Sequence, residues 1–123
     1  MKQKKILIAE DNFINQKVII FMLEKFDHIF DLADNGKIAV EKFRNDNYDL
    51  VLMDLQMPEL DGFEASRMIR EIELEEARIS KVKIYAMTAS SLSDVHNKCM
   101  EAGMNGYLSK PFKNEAVMSI LEE

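Results

Sequence analysis

Acidic side chains follow two short apolar runs in this chain: Glu10 and Asp11 come directly after Ile6-Leu7-Ile8-Ala9, and Asp54 directly after Leu50-Val51-Leu52-Met53. Each run has strand length and lacks the alternation of a strand with one wet face, so both read as strands covered on both sides. The acids therefore stand where buried strands stop pairing and a site can open. Taken singly, an aspartate in that place is as often a turn residue or a helix cap. Brought to one sheet edge, carboxylates repel one another, by about 4 kcal/mol for a pair about 4 Å apart at an effective dielectric of about 20. A raised pKa can neutralise one acid, or a cation can compensate the cluster. Oxygen ligands on rigid strand ends suit Mg²⁺, which takes one or two carboxylates and keeps several waters.

Two further strand ends add to the set. The run from Val82 to Met87 ends in Thr88, Ala89, Ser90 and Ser91, and a brief run from Gly106 to Ser109 ends in Lys110 and Pro111. Acids, a divalent cation, a hydroxyl and an ammonium together fit phosphoryl chemistry. Mg²⁺ and Lys110 can neutralise the oxygens of a transferring group, Thr88 can donate a hydrogen bond to one of them, and Asp54 can attack in line. Alone, Thr88 reads as a helix cap and Lys110 as an exposed loop charge; only the convergence is specific.

Convergence requires an architecture that delivers those strand ends to one edge. After the first strand, Val18, Ile19, Met22, Leu23 and Phe26 recur at helical spacing, which predicts a helix with Gln16, Lys17, Glu24 and Lys25 on its wet side. His28 to Ala33 reads as a second strand, and Asn35-Gly36 as the turn before a helix carrying Ile38, Ala39, Val40 and Phe43 and reaching Asn45. Beyond the strand that ends at Asp54, Pro58 and Gly62 mark a loop. Asp61 and Glu64 have the spacing of an N-cap with a reciprocal acid, ahead of a stripe of Ala65, Met68, Ile69 and Ile72. The charged stretch from Glu71 to Lys83 is expected to run through solvent. Leu92, Val95, Cys99 and Ala102 line a fourth helix stopped by Gly103, and Ala116, Val117, Ile120 and Leu121 form the buried side of a last one.

Strand then helix, five times over, predicts an α/β fold: a doubly wound, five-stranded parallel sheet with right-handed crossovers, flavodoxin-like in its (βα)5 order 2-1-3-4-5. In that order the connections leave strands 1 and 3 in opposite directions and open a crevice at their carboxyl ends, flanked by Glu10, Asp11 and Asp54.

At 123 residues the chain fits one domain, read as spanning 1–123, with enough core to fold without disulfide or structural metal. A net charge of -6 argues against a nucleic-acid surface, which draws its affinity from lysines and arginines. No apolar run reaches the roughly 20 residues of a membrane span, and MKQKKILIA lacks the long apolar region of a secretory signal, so a cytoplasmic protein without membrane insertion is expected. The single Cys99 agrees with a reducing compartment. His96 and Cys99, three apart, are too few for a zinc site, and the nine methionines read as core filling.

Taken together, Glu10-Asp11, Asp54 in MDLQMPELDG, Thr88-Ala89, and Tyr107 with Lys110-Pro111 in GYLSKPF resemble the receiver domains of two-component response regulators, from about Lys4 to Leu121. The resemblance implies that Asp54 is a phosphoacceptor served by a phosphohistidine on a histidine kinase or histidine phosphotransfer domain. It implies Mg²⁺ held by Asp11, Asp54 and the backbone carbonyl of Gln56, with Glu10 acting through water. It further implies a switch through Thr88 and Tyr107 that remodels the fourth helix, fifth strand and fifth helix, phosphoryl lifetime set by Gln56 and Ser90, and a cis peptide before Pro111. Asn12, Asn15 and Gln16, in EDNFINQ, resemble receivers attached to hybrid sensor kinases; Asn12 reads equally as a plain helix cap. Two rivals fit less well. A phosphatase of the haloacid dehalogenase type wants a second acid where Gln56 stands, and a flavin carrier wants a phosphate loop rich in donors where Glu10 and Asp11 stand.

Overall fold

The computed structural model describes residues 3–89, 92–110 and 112–122, except the side chains of residues 92–94. Five strands, β1 (Lys5–Ala9), β2 (Ile29–Ala33), β3 (Leu50–Asp54), β4 (Lys83–Thr88) and β5 (Gly106–Ser109), alternate with five helices. These are α1 (Phe13–Glu24), α2 (Gly36–Asn45), α3 (Gly62–Glu75), α4 (Leu92–Glu101) and α5 (Asn114–Leu121). All strand pairs are parallel and the order is β2-β1-β3-β4-β5, the expected one.

The apolar runs alternate between two cores because successive strand side chains point to opposite faces. Leu7, Ala9, Val51, Met53, Ile84 and Ala86 pack with α2, α3 and α4 residues such as Phe43, Ile69 and Cys99. Ile6, Ile8, Leu50, Leu52, Met87 and Leu108 pack with α1 and α5 through Leu23, Ile120 and Leu121. Both faces are covered, which is why these runs show no polar alternation. Register then sets the functional edge: Ala9 lies opposite Met53, Asp54 opposite Met87, and Thr88 opposite Ser109. Glu10, Asp54, Thr88 and Lys110 thus emerge side by side.

Caps follow the local sequence. Asn12, Asn35 and Asp61 each accept the backbone N–H three residues on, closing the first turns of α1, α2 and α3. Glu64 pairs with Arg67, so its carboxylate serves an ion pair on the outer face of α3. Gly103 ends α4's turn at φ +86°, a left-handed conformation that glycine adopts without a Cβ clash.

Several expectations are corrected. Gln16 is buried and Val18 exposed, so the inward face of α1 is rotated from the expected stripe. Met68, Met100 and Met118 are exposed, so core filling describes only part of the methionines. The charged stretch does not simply run through solvent: α3 continues to Glu75, and Glu73 is 3% exposed. Its carboxylate accepts the Val82 N–H at 2.7 Å and pairs with Arg70 at 2.8 Å. Arg70 also donates to the carbonyls of Val82 and Gly103 and to Asn105 Oδ1, tying α3 to the starts of β4 and β5. A carboxylate with a bidentate set of partners satisfies the cost of burial that an isolated one could not. Ser90 and Pro111, named from the sequence, lie outside the described residues.

Candidate functional site

The carboxyl edge of the sheet opens into a cleft of about 900 Å³ lined by residues of every functional strand end, among them Glu10, Asp11, Asp54, Gln56, Thr88 and Lys110. The strand-end pattern anticipated five of these and the family resemblance alone pointed to Gln56; the register of four strands brings them together. Tyr107 does not line the cleft. It sits on β5 against Val95-side core, with its ring edge-on to His96 at 5.9 Å between centroids. His96 itself is exposed and Cys99 buried, so the two do not share a face.

Within the cleft, carboxylate oxygens of Glu10, Asp11 and Asp54 lie within 4.8 Å of one another. Lys110 Nζ donates to Glu10 Oε1 at 2.9 Å and stands 3.5 Å from Asp54 Oδ1. The Asn12 N–H donates to Glu10 Oε2 at 3.1 Å, and the Gln56 N–H to Asp54 Oδ1 at 3.3 Å. Behind the acids the backbone is close-set. A Cβ on Gly62 would come within 2.3 Å of the Asp54 carbonyl oxygen, so the α3 entry can lie directly beneath Asp54 only as glycine. The Lys110 N–H donates to the Thr88 carbonyl at 2.8 Å, which locks the β4 and β5 ends together.

One ammonium among three acids leaves the cluster short of positive charge. Burial first, then the hydrogen bond and charge of Glu10, push the pKa of Asp54 up to about 7, against the smaller pull of Lys110. Burial pushes Glu10 the same way, but its hydrogen bonds with Asp54, Lys110 and the Asn12 N–H hold it below the usual carboxylate range. Of the two carboxyls, Asp54 is thus the harder to ionise and Glu10 the easier. A site made of hard oxygen donors, two of them buried and one exposed, with net negative charge when deprotonated, fits a small divalent cation.

The sequence of residues 6–122 matches the model of the family described as response regulator receiver domain. This chain belongs to that family. Receivers are signalling domains, and the relatives of this one include hybrid signal transduction histidine kinase B of Dictyostelium discoideum, 47% identical over 95% of the chain. Histidine kinase 2 of Arabidopsis thaliana is 38% identical over 95%. The chain spans only 6% and 11% of those two proteins' lengths. Among solved structures, the receiver domain of sensor histidine kinase PA1611 from Pseudomonas aeruginosa is 40% identical, with a TM-score of 0.86 over 98% of this chain and 96% of that one. That receiver holds a magnesium ion in its active site cleft. The receiver domain of Saccharomyces cerevisiae Ssk1, crystallised with the histidine phosphotransfer protein Ypd1, matches at 35% identity and a TM-score of 0.88, over 94% of this chain and 84% of that one.

Two features of this receiver escaped the sequence reading. Phe13, Ile14, Val18 and Phe21 form an exposed apolar face on α1, with Lys17 and Lys25 laid over the Phe13 and Phe21 rings. Their spacing of one, four and three residues was the available signal, obscured because it overlaps the buried stripe. The second is Gln16, whose amide reaches under the acid loop. Among the described residues, no helix is long and apolar enough to cross a membrane.

Proposed function

We propose that the chain, as a single receiver domain over 1–123, accepts a phosphoryl group on Asp54 from a phosphohistidine of a histidine kinase or histidine phosphotransfer protein. The observation that carries this reading is the juxtaposition of Asp54 with two further carboxylates and with Lys110 Nζ, 3.5 Å from Asp54 Oδ1, in an open cleft. The residues suit Mg²⁺ held by Asp11, Asp54 and the Gln56 carbonyl, with Glu10 acting through water. When bound, Mg²⁺ would neutralise the acids and the oxygens of the incoming group.

In the reaction, deprotonated Asp54 attacks phosphorus in line, the P–N bond to the donor histidine breaks as the P–O bond forms, and the imidazole leaves protonated by solvent or its own partner. Lys110 exchanges Glu10 for a phosphoryl oxygen, and Thr88 donates to another. The same residues would position water to hydrolyse the acyl phosphate, releasing phosphate and the Asp54 carboxylate, with Gln56 and Ser90 setting its access. The added charge and acceptors then draw Thr88 and Lys110 inward, and Tyr107 turns to follow, changing the surface of α4, β5 and α5.

A donor must cover the rim of the cleft, where Asn12 and Asn15 lead into the exposed apolar face of α1. A histidine phosphotransfer protein, such as the one crystallised with the Ssk1 receiver, would bring an apolar surface to that face. We read the domain as working in the cytoplasm, where such donors present their phosphohistidines.

Intact mass after incubation with acetyl phosphate, with and without Mg²⁺, tests the proposal. A Mg²⁺-dependent phosphoryl adduct on the wild type, absent from Asp54→Asn, is expected. No adduct, together with no chemical-shift response to beryllofluoride and Mg²⁺, overturns it.

A further inference from the structure

The loop that presents Glu10 and Asp11 leaves β1 and enters α1 within three residues, and it carries two of three mutually repelling carboxylates. Repulsion of this kind drives the loop outward, away from Asp54. Among the described residues, Gln16 is a side chain outside the cluster that opposes this movement. Gln16 Nε2 donates to the Glu10 carbonyl at 2.6 Å and to Asp34 Oδ1 at 3.1 Å. Gln16 is 7% exposed, on the first turns of α1, and its own N–H is held by the Asn12 carbonyl at 3.0 Å. Asp34 follows β2, whose Ala33 carbonyl accepts the Glu10 N–H at 3.0 Å. Both backbone groups of Glu10 are thereby anchored on the β2 side: its N–H directly, its C=O through the Gln16 amide.

We infer that Gln16 is a positioning residue, which clamps the Glu10 carbonyl to the end of β2 through Asp34 and so holds Glu10 and Asp11 at the separation a divalent cation needs. The inference rests on the proposed Mg²⁺ role of the cluster and adds to it a residue that touches neither cation nor phosphoryl group. Gln16 suits this task chemically. Its amide nitrogen carries two hydrogens, so one group serves a carbonyl and a carboxylate at once. Leucine at this position keeps most of the buried volume and loses both donors. Residues that orient metal ligands from behind typically change metal affinity about ten-fold or more when removed.

Mg²⁺ titration of Gln16→Leu, Asp34→Ala and the double variant, followed by amide shifts of residues lining the cleft, tests the clamp, with metal-free thermal unfolding measured in parallel. Gln16→Leu is expected to weaken Mg²⁺ binding about ten-fold and Asp34→Ala, which removes one arm at an exposed position, about three-fold. The double variant should bind no more weakly than Gln16→Leu, because the Asp34 arm acts only through the amide. A purely structural Gln16 would lower the unfolding midpoint and leave the folded protein's Mg²⁺ affinity within two-fold of wild type; that result overturns the inference. If Gln16→Leu does not fold, unchanged Mg²⁺ affinity in Asp34→Ala overturns it equally. Failure of the wild type to bind Mg²⁺ would instead sink the proposed function, so the two failures are told apart.

Discussion

Asp54→Asn should make the metal-free protein more stable, and the gain should depend on pH. Asp54 titrates at about 7 in the fold against an ordinary 3.8. Its folded pKa is raised, so the folded state binds more protons than the unfolded chain between those values, and stability falls as pH rises through that window. Above about pH 7 the loss is complete. At about 1.4 kcal/mol per pKa unit the cost of ionising Asp54 is about 4 kcal/mol. The lowered pKa of Glu10 returns part of it, so a net gain of about 2 to 4 kcal/mol is expected when an amide of the same shape replaces the carboxylate. For a domain of this size that raises the unfolding midpoint by about 10 °C. The amide nitrogen also gives Glu10 a donor, so no buried group is orphaned. The assay is thermal or urea unfolding followed by circular dichroism, in chelator, at pH 8 and pH 4. The variant should lead at pH 8, and the gap should shrink to roughly 0.5 kcal/mol at pH 4, where native Asp54 is protonated and the unfolded group lies close to its own midpoint. Saturating Mg²⁺ at pH 8 should raise the wild type by about 3 kcal/mol at 100 times its Kd, and the variant by less. Equal stability of the two proteins at pH 8 without metal would refute the account of the cluster as a site in which Asp54 ionises at a cost.

Lys110→Ala should retain Mg²⁺ binding while uncoupling it from the switch, so that beryllofluoride no longer shifts the amides around Tyr107; a normal response there removes the lysine from that role. Gly62→Ala should destabilise the fold by about 1 to 3 kcal/mol and displace Asp54, since its Cβ would meet the Asp54 carbonyl oxygen at 2.3 Å; unfolding in urea with an unchanged midpoint would contradict that packing. Val18→Asp, on the exposed face of α1, should slow phosphoryl transfer from a histidine phosphotransfer protein by about ten-fold or more while leaving phosphorylation by acetyl phosphate unchanged. Parallel loss with both donors would mean that the substitution damaged the cleft itself.

Much of this protein could be read along the chain because its determinants are local. The apolar runs before Glu10 and Asp54 had to be doubly covered strands, since a half-wet strand would alternate; five strand–helix repeats then left few topologies. The N-caps Asn12, Asn35 and Asp61 and the stop at Gly103 act within one helical turn, so their spacing sufficed. The meeting of Glu10, Asp11, Asp54, Thr88 and Lys110 in one cleft also followed, because parallel register carries consecutive strand ends to the same edge.

What only the tertiary structure decided depends on which neighbour each side chain meets. Helical spacing gives a stripe but not its centre, and an apolar sequence such as FINQKVIIFM supports more than one. Packing against β1 and β2 turned Gln16 inward and left Phe13, Ile14, Val18 and Phe21 outside. The charge count of Glu71 to Lys83 could not reveal that Glu73 is buried, because its partners, Arg70 and the Val82 N–H, are supplied by the fold of α3 against β4. Nor could spacing show that Asp54 is harder to ionise than Glu10. That depends on burial and on a separation of a few ångströms, quantities that come into being only when residues 10 and 54 lie side by side.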